Sequence, residues 1–248
     1  MLHLGEALAK TAVVLPWVDA RKRSSLVRRW SVRLLRILNV ELRVLGANSF
    51  AIEGNVLIVA NHISWLDIFV LNALQPARFI AKAELRRPRL LGVLVEGAGT
   101  LFIERERRHD THRVNRRVAE VLASGEVIAI FPEGTTTEGV DVLPFHASLL
   151  QPIVDAEGHV QPIAIRYRTI DGHPSDAPAY VGETTLGESF WRVVSARSLV
   201  VELHLAPRLP AGQRHRRELS REAEAAIRGA LAAPAIGSEP GTRGRRPA

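Results

Sequence analysis

His62 and Asp67 stand five residues apart in the run Asn61-His62-Ile63-Ser64-Trp65-Leu66-Asp67. An imidazole removes a proton near neutral pH, and a carboxylate on its other ring nitrogen fixes the tautomer and stabilises the imidazolium. No serine stands in obvious partnership with the pair. The arrangement therefore suggests a base that activates a hydroxyl on the substrate itself. A plainer reading of the same residues is a capping box, with Ser64 as N-cap, Asp67 at the third helical position and Asn61 as a turn residue. The two are compatible, because a cap would hold Asp67 rigidly toward the preceding loop.

The elements around the motif place it. Val56-Leu57-Ile58-Val59-Ala60 reads as a buried strand, and Asp67-Ile68-Phe69-Val70-Leu71 as the start of an apolar helix. Two further apolar runs end in polar loops. Thr100–Ile103 leads into Glu104–Arg108, and Val127–Phe131 leads into Pro132–Thr137. Ligands of open α/β sheets collect beyond the carboxyl ends of strands. Here one such loop supplies a base and one supplies Arg105, a planar donor suited to phosphate. The third supplies Glu133, the hydroxyl of Thr135, and Gly134, which permits close backbone approach. Taken together they describe a transferase site for a phosphorylated or otherwise anionic alcohol.

Residues 77–81, 160–167 and 199–205 read as further strands, and Leu42–Val44 with Ala51–Glu53 as short strands about a Gly46–Asn48 turn. Helical spacing covers 26–41, 90–95, 110–123 (ended by Gly125) and 215–232. Strands alternating with helices give an α/β fold, with a mixed, largely parallel sheet flanked by helices and an N-terminal amphipathic helical segment. Three regions follow: a membrane-associating helical segment over 1–45, a catalytic domain over 46–232, and a Pro/Gly/Arg-rich tail over 233–248 expected to be disordered.

Hydrophobic residues make up 46% of the 248, too many for a disordered chain, and enough for one sizeable core. The 33 basic residues against 26 acidic leave a net charge of +7, which attracts anions without choosing among them. Between Leu26 and Glu41, apolar residues at helical spacing alternate with Arg28, Arg29, Arg33 and Arg36, a pattern suited to an anionic bilayer surface or to a helix packed on its own domain. Cysteine is absent, which excludes disulfides, thiolate metal sites and a cysteine nucleophile. No run of eighteen apolar residues offers a transmembrane helix, and the first residues lack the pattern of a signal peptide. The expectation is a peripheral protein on the cytoplasmic face of a membrane. His109-Asp110-x-His112 lacks further ligands, so no metal site is expected.

The chain resembles the glycerolipid acyltransferase family, which includes 1-acylglycerol-3-phosphate acyltransferases. The matching blocks are Asn61-His62-x-Ser64-x-x-Asp67, Gly99–Arg105 and Phe131-Pro132-Glu133-Gly134-Thr135, with Gln161-Pro162-Ile163 and the Lys82-x-Glu84-Leu85 spacer in support. The resemblance implies that His62 deprotonates a lysolipid hydroxyl, with Asp67 orienting it, for attack on the thioester of acyl-CoA or acyl carrier protein. It places Arg105 on phosphate and Glu133, Gly134 and Thr135 near the glycerol, with Lys82 assisting the anionic group or the oxyanion. No bound cofactor or metal is implied, and no nucleic-acid partner. The acceptor it implies first is 1-acylglycerol-3-phosphate, giving phosphatidate.

Two departures bear on that acceptor. Phosphatidate-forming members commonly follow Glu-Gly-Thr with Arg-Ser, where this chain has Thr136-Thr137. Their later Phe-Lys-x-Gly is Phe145-His146-Ala147-Ser148 here. Both changes resemble the branch that acylates lyso-ornithine lipid. A non-catalytic module for anionic lipid, or a thioester hydrolase using water as acceptor, are the competing functions.

Overall fold

The computed structural model describes residues 19–46, 54–82, 101–103, 118–122, 124–196 and 198–233. Helix α1 (Ala20–Ile37) starts at Asp19, whose side chain accepts from the Lys22 N–H. It leads into β1 (Val40–Gly46) through Asn39, whose φ of 53° suits an asparagine. The helical spacing read as far as Glu41 therefore stops earlier: Glu41 belongs to a strand, and the region boundary at 45 falls inside it. Strand β2 (Val56–Ala60) is buried along its whole length. After it come α2 (Asp67–Leu74), β3 (Arg78–Lys82), β4 (Leu101–Ile103) and β5 (Ile128–Ile130). A 3-10 turn, Ala147–Leu150, runs into α3 (Gln151–Asp155). The chain closes with β6 (His159–Arg168), α4 (Leu186–Ser195), β7 (Leu199–Leu205), the short β8 (Leu209–Pro210) and α5 (Arg216–Ala232).

The strands form one sheet in the order β1-β7-β6-β2-β5-β3-β4, with β8 beside β6. The pairs β2–β6, β2–β5, β3–β5, β3–β4 and β1–β7 are parallel, and β6–β7 and β6–β8 antiparallel. This is the expected α/β sheet. The strand expected over Leu42–Val44 lies within β1, which pairs with β7, Val40 opposite Leu199; the 51–53 strand and most of the expected turn lie outside the described residues. Gly46, at φ 100°, lies so close to β7 that a Cβ there would overlap the Leu205 carbonyl.

Helices cover both faces, which is why β2 reads as an unbroken apolar run rather than an alternation. One face packs Leu35 and Leu38, Phe69 and Val70 of α2, and Val193 of α4 against Ile58, Ile165 and Val201. The other packs Val121 and Leu122, Ile153 and α5 residues Leu219, Ala223 and Ile227 against Leu57, Val59 and Val160. Fully burying such side chains contributes about 1.5–3 kcal/mol each, so the carboxyl end of β2 is firmly anchored. Of the expected 110–123 helix, residues 118–122 are helical, and the Gly125 N–H closes it onto the Leu122 carbonyl at 3.0 Å. The segments 1–18, 90–95 and 234–248 lie outside the described residues. Helix α4 was not expected from spacing. Its sequence signal is a capping box in which Thr185 and Glu188 bond reciprocally.

Candidate active site

Strand β6 runs five residues past Ala60, the last residue of β2, and this overhang builds the site. The Asn61 side chain continues the ladder in place of main chain. Its Nδ2 donates to the Ile165 carbonyl at 3.1 Å, and its Oδ1 accepts from the Ile165 N–H at 2.7 Å. With the sheet satisfied by a side chain, the backbone is free to turn out at His62. Asn61 is thus a buried splice between strands, more than a turn residue.

His62 Nδ1 lies 2.8 Å from Asp67 Oδ2. The same oxygen accepts from the Ile63 N–H at 2.7 Å and the Ser64 N–H at 2.9 Å. The other, Oδ1, accepts from the Tyr167 hydroxyl at 2.7 Å. Asp67 is wholly buried. Main-chain N–H groups can only donate and the Tyr167 hydroxyl donates too, so the aspartate is an acceptor throughout and His62 Nδ1 carries the proton. That leaves Nε2 as the basic nitrogen. Burial first, and then the Asp67 charge, push the Tyr167 phenol well above its ordinary range, keeping it a donor.

The expected capping box is half formed. Asp67 accepts from the Ser64 N–H, but Ser64 Oγ accepts from the Leu66 N–H and α2 begins at Asp67 itself. The carboxylate makes its half of the cap and binds His62 and Tyr167 as well; the half that is not made is that of Ser64 Oγ.

The third loop braces the first. Glu133 is buried, and its two oxygens accept from the His62 N–H and the Leu143 N–H, each at 2.8 Å. Burial raises its carboxyl, and those two main-chain bonds oppose the rise. The Thr137 N–H donates to the His62 carbonyl at 2.8 Å, and the Phe131 ring stacks on the imidazole at 4.0 Å and 9°. Gly134, at φ 74°, turns the loop so that Thr135 is exposed beside it. The imidazole itself is 20% exposed, enough for a hydroxyl to reach it.

His62, Asp67, Glu133, Gly134 and Thr135 are therefore brought together at one edge of the sheet. Lys82 ends β3, opposite Ile103 of the parallel β4, and the parallel strands direct both ends to the edge that carries His62. Arg105 lies outside the described residues. Sequence reasoning missed Tyr167, whose only local signal is its place in a strand. Glu133, placed near the glycerol by the resemblance, also accepts from the His62 main chain, a contact that local spacing does not show. Among the described residues, no cluster of three or more His, Cys, Asp or Glu is placed to hold a metal, and no helix is long and apolar enough to cross a membrane.

Comparison with known proteins adds to this geometry. Residues 41–166 match the family model described as Acyltransferase. A lyso-ornithine lipid O-acyltransferase of Pseudomonas aeruginosa is 41% identical over 218 residues, 88% of this chain and 83% of that protein. A 1-acyl-sn-glycerol-3-phosphate acyltransferase of Neisseria gonorrhoeae is 40% identical over 150 residues, 60% of this chain and 58% of that one. The crystal structure of the 1-acyl-sn-glycerophosphate (LPA) acyltransferase PlsC from Thermotoga maritima superimposes with a TM-score of 0.64 at 23% identity, over 92% of this chain and 86% of the other, and shares the fold.

Proposed function

The chain belongs to the acyltransferase family, and on that premise we propose that it moves a fatty acyl group from the thioester of acyl-CoA or acyl carrier protein to the free hydroxyl of a lysolipid. The observation that carries this is the His62–Asp67 pair, held at 2.8 Å with Nε2 left basic. His62 Nε2 takes the hydroxyl proton as the lysolipid oxygen attacks the thioester carbonyl. The C–S bond then breaks, and the departing thiolate takes the proton back from Nε2. Asp67 stabilises the transient imidazolium. Tyr167, Ile63 and Ser64 hold Asp67, and Glu133 and Phe131 hold His62. Preset geometry of this kind lowers the barrier because nothing need reorganise at the moment of reaction.

For the acceptor, the first reading is 1-acylglycerol-3-phosphate, with Arg105 and Lys82 on the phosphate and Gly134-Thr135 near the glycerol. A second reading, lyso-ornithine lipid, has an observation of its own in favour. At the positions where the resemblance leads one to expect Arg-Ser, the Thr136 hydroxyl donates to the Tyr180 carbonyl, and Thr137 bonds the His62 carbonyl. Both side chains there bond the main chain of other loops. We further propose a peripheral position on the cytoplasmic face of the membrane, with the basic α1 toward anionic lipid.

The test is thiol release from an acyl thioester by purified protein, offered lysophosphatidate and lyso-ornithine lipid in parallel. Wild type should release thiol with one acceptor, and His62→Ala should lose turnover while keeping its fold. A near wild-type rate in His62→Ala would overturn the mechanism. Product only from the ornithine lipid would decide for the second acceptor, and vesicle binding without transfer would return the chain to a lipid-binding module.

A further inference from the structure

Helix α4 presents an aromatic outer surface. Phe190, Trp191 and Val194, at i, i+1 and i+4, are 48%, 69% and 46% exposed, so they share one side of the helix. The contrast is α5 on the opposite face of the sheet, whose exposed positions include Arg217, Glu218, Arg221 and Glu222. Single exposed apolar residues are ordinary, but a contiguous group that includes tryptophan marks a surface with a partner.

This surface is continuous with the catalytic loop. Trp65, three residues beyond His62, donates from Nε1 to Ser189 Oγ of α4 at 3.0 Å, and its ring centroid lies 6.1 Å from that of Phe190. The rings continue the other way, Trp65 to Phe69 at 6.1 Å and Phe69 to Trp30 of α1 at 5.1 Å. One aromatic seam thus ties α4, the loop, α2 and α1 into a single layer. The α1 end of that layer exposes Val32 and Ile37 among exposed Arg29, Arg33 and Arg36. Apolar rings on one helix and a guanidinium row on the next match an anionic bilayer, whose surface takes up aromatic side chains and attracts arginine.

We propose that α4 seats the protein on an anionic phospholipid bilayer, Trp191 and Val194 entering the interface while the arginines of α1 meet the head groups. The inference rests on the acyl-transfer reading for its purpose. Trp65 ties α4 to the loop that carries His62, so a leaflet against α4 would hold lysolipid next to that loop.

The experiment is flotation of the full chain with phosphatidylcholine vesicles, with and without phosphatidylglycerol, for wild type and the double variant Trp191→Ser/Val194→Ser. The variant should keep its Tm and its acylation of a short-chain, water-soluble lysolipid. Its partition onto anionic vesicles should fall by roughly tenfold or more, and its acylation of vesicle-embedded acceptor should fall with it. As a second measurement, lipids brominated along the acyl chain should quench wild-type tryptophan fluorescence more than that of Trp191→Phe, a variant that keeps the apolar surface. Unchanged partition, or a change in oligomeric mass in place of partition, would overturn the proposal; the latter would assign the surface to a second copy of the chain. Partition that depends on Trp191 and Val194 without transfer to any acceptor would uphold the docking and sink the acyl-transfer reading. Transfer to soluble lysolipid with indifferent partition would sink the docking alone.

Discussion

The Tyr167 hydroxyl reaches Asp67 Oδ1 at 2.7 Å from a position one hundred residues further along the chain. It is the donor that completes the carboxylate, because Oδ2 already serves His62, Ile63 and Ser64. Tyr167→Phe keeps the ring and leaves a buried oxygen without this donor, which costs about 1–3 kcal/mol. Urea denaturation should show that loss. With Asp67 less firmly aimed, kcat should fall about tenfold or more while KM for the thioester stays near wild type. Unchanged stability and unchanged kcat together would remove Tyr167 from the positioning of the base.

Glu133 holds two N–H groups with two oxygens. A glutamine offers one acceptor oxygen and an NH2, so Glu133→Gln must leave the His62 N–H or the Leu143 N–H facing a donor. The expected outcome is a fold that survives with a lower Tm and a kcat reduced by about one to two orders of magnitude. If the variant instead raises KM for lysolipid with kcat intact, Glu133 acts on the acceptor and the bracing account fails.

Gly139 sits at φ 78°, and a Cβ there would run into the Ile63 side chain, with Cγ1 at 2.8 Å. Ile63 is the residue whose N–H binds Asp67. Gly139→Ala combines left-handed strain of about 1–2 kcal/mol with a push on the catalytic loop. Thermal denaturation should register the first and a drop in kcat the second. A variant as active and as stable as wild type would show that the loop yields freely.

His204 is half-buried beside Glu202, with Arg166 and Arg168 facing the same carboxylate. Burial, aided by the two arginines, lowers its imidazole below the ordinary 6.5, against the pull of Glu202. Above 6.5 the ring is neutral in folded and unfolded chains alike and contributes nothing. As pH falls below 6.5 the unfolded chain binds the proton more readily, so folding stability declines. His204→Gln should flatten that acid-side decline, seen as a smaller drop in urea midpoint between pH 7 and pH 5. Parallel profiles for the two proteins would contradict the assignment.

How far the residues alone could be read depends on the range of the interaction. Apolar runs placed β2, β3, β5, β6 and β7 near their positions, because burial on both faces of a parallel sheet writes itself as unbroken hydrophobicity. The His62–Asp67 pair was legible for a similar reason, since five residues of loop suffice to bring the two side chains together. Short-range patterns told only part of what distant partners complete. Leu42–Val44 reads as a strand from its own residues, but its pairing with β7 far along the chain does not. Ser64 and Asp67 read as a reciprocal cap, but only the carboxylate's half forms, and the same carboxylate also binds His62 and the distant Tyr167.

By itself, then, the sequence determined the α/β class, the His62–Asp67 pair, and the loops that follow β2 and β5, all carried by neighbours within a few residues. Tertiary structure alone decided the rest. It made Asn61 a splice onto β6, gave Asp67 its phenol, turned Glu133 inward to the His62 main chain, and set the aromatic side of α4 beside Trp65. Each of these joins residues dozens of positions or more apart in the chain. Such contacts are specified by sheet register and by the demand that buried polar groups find partners, and neither is written in local spacing.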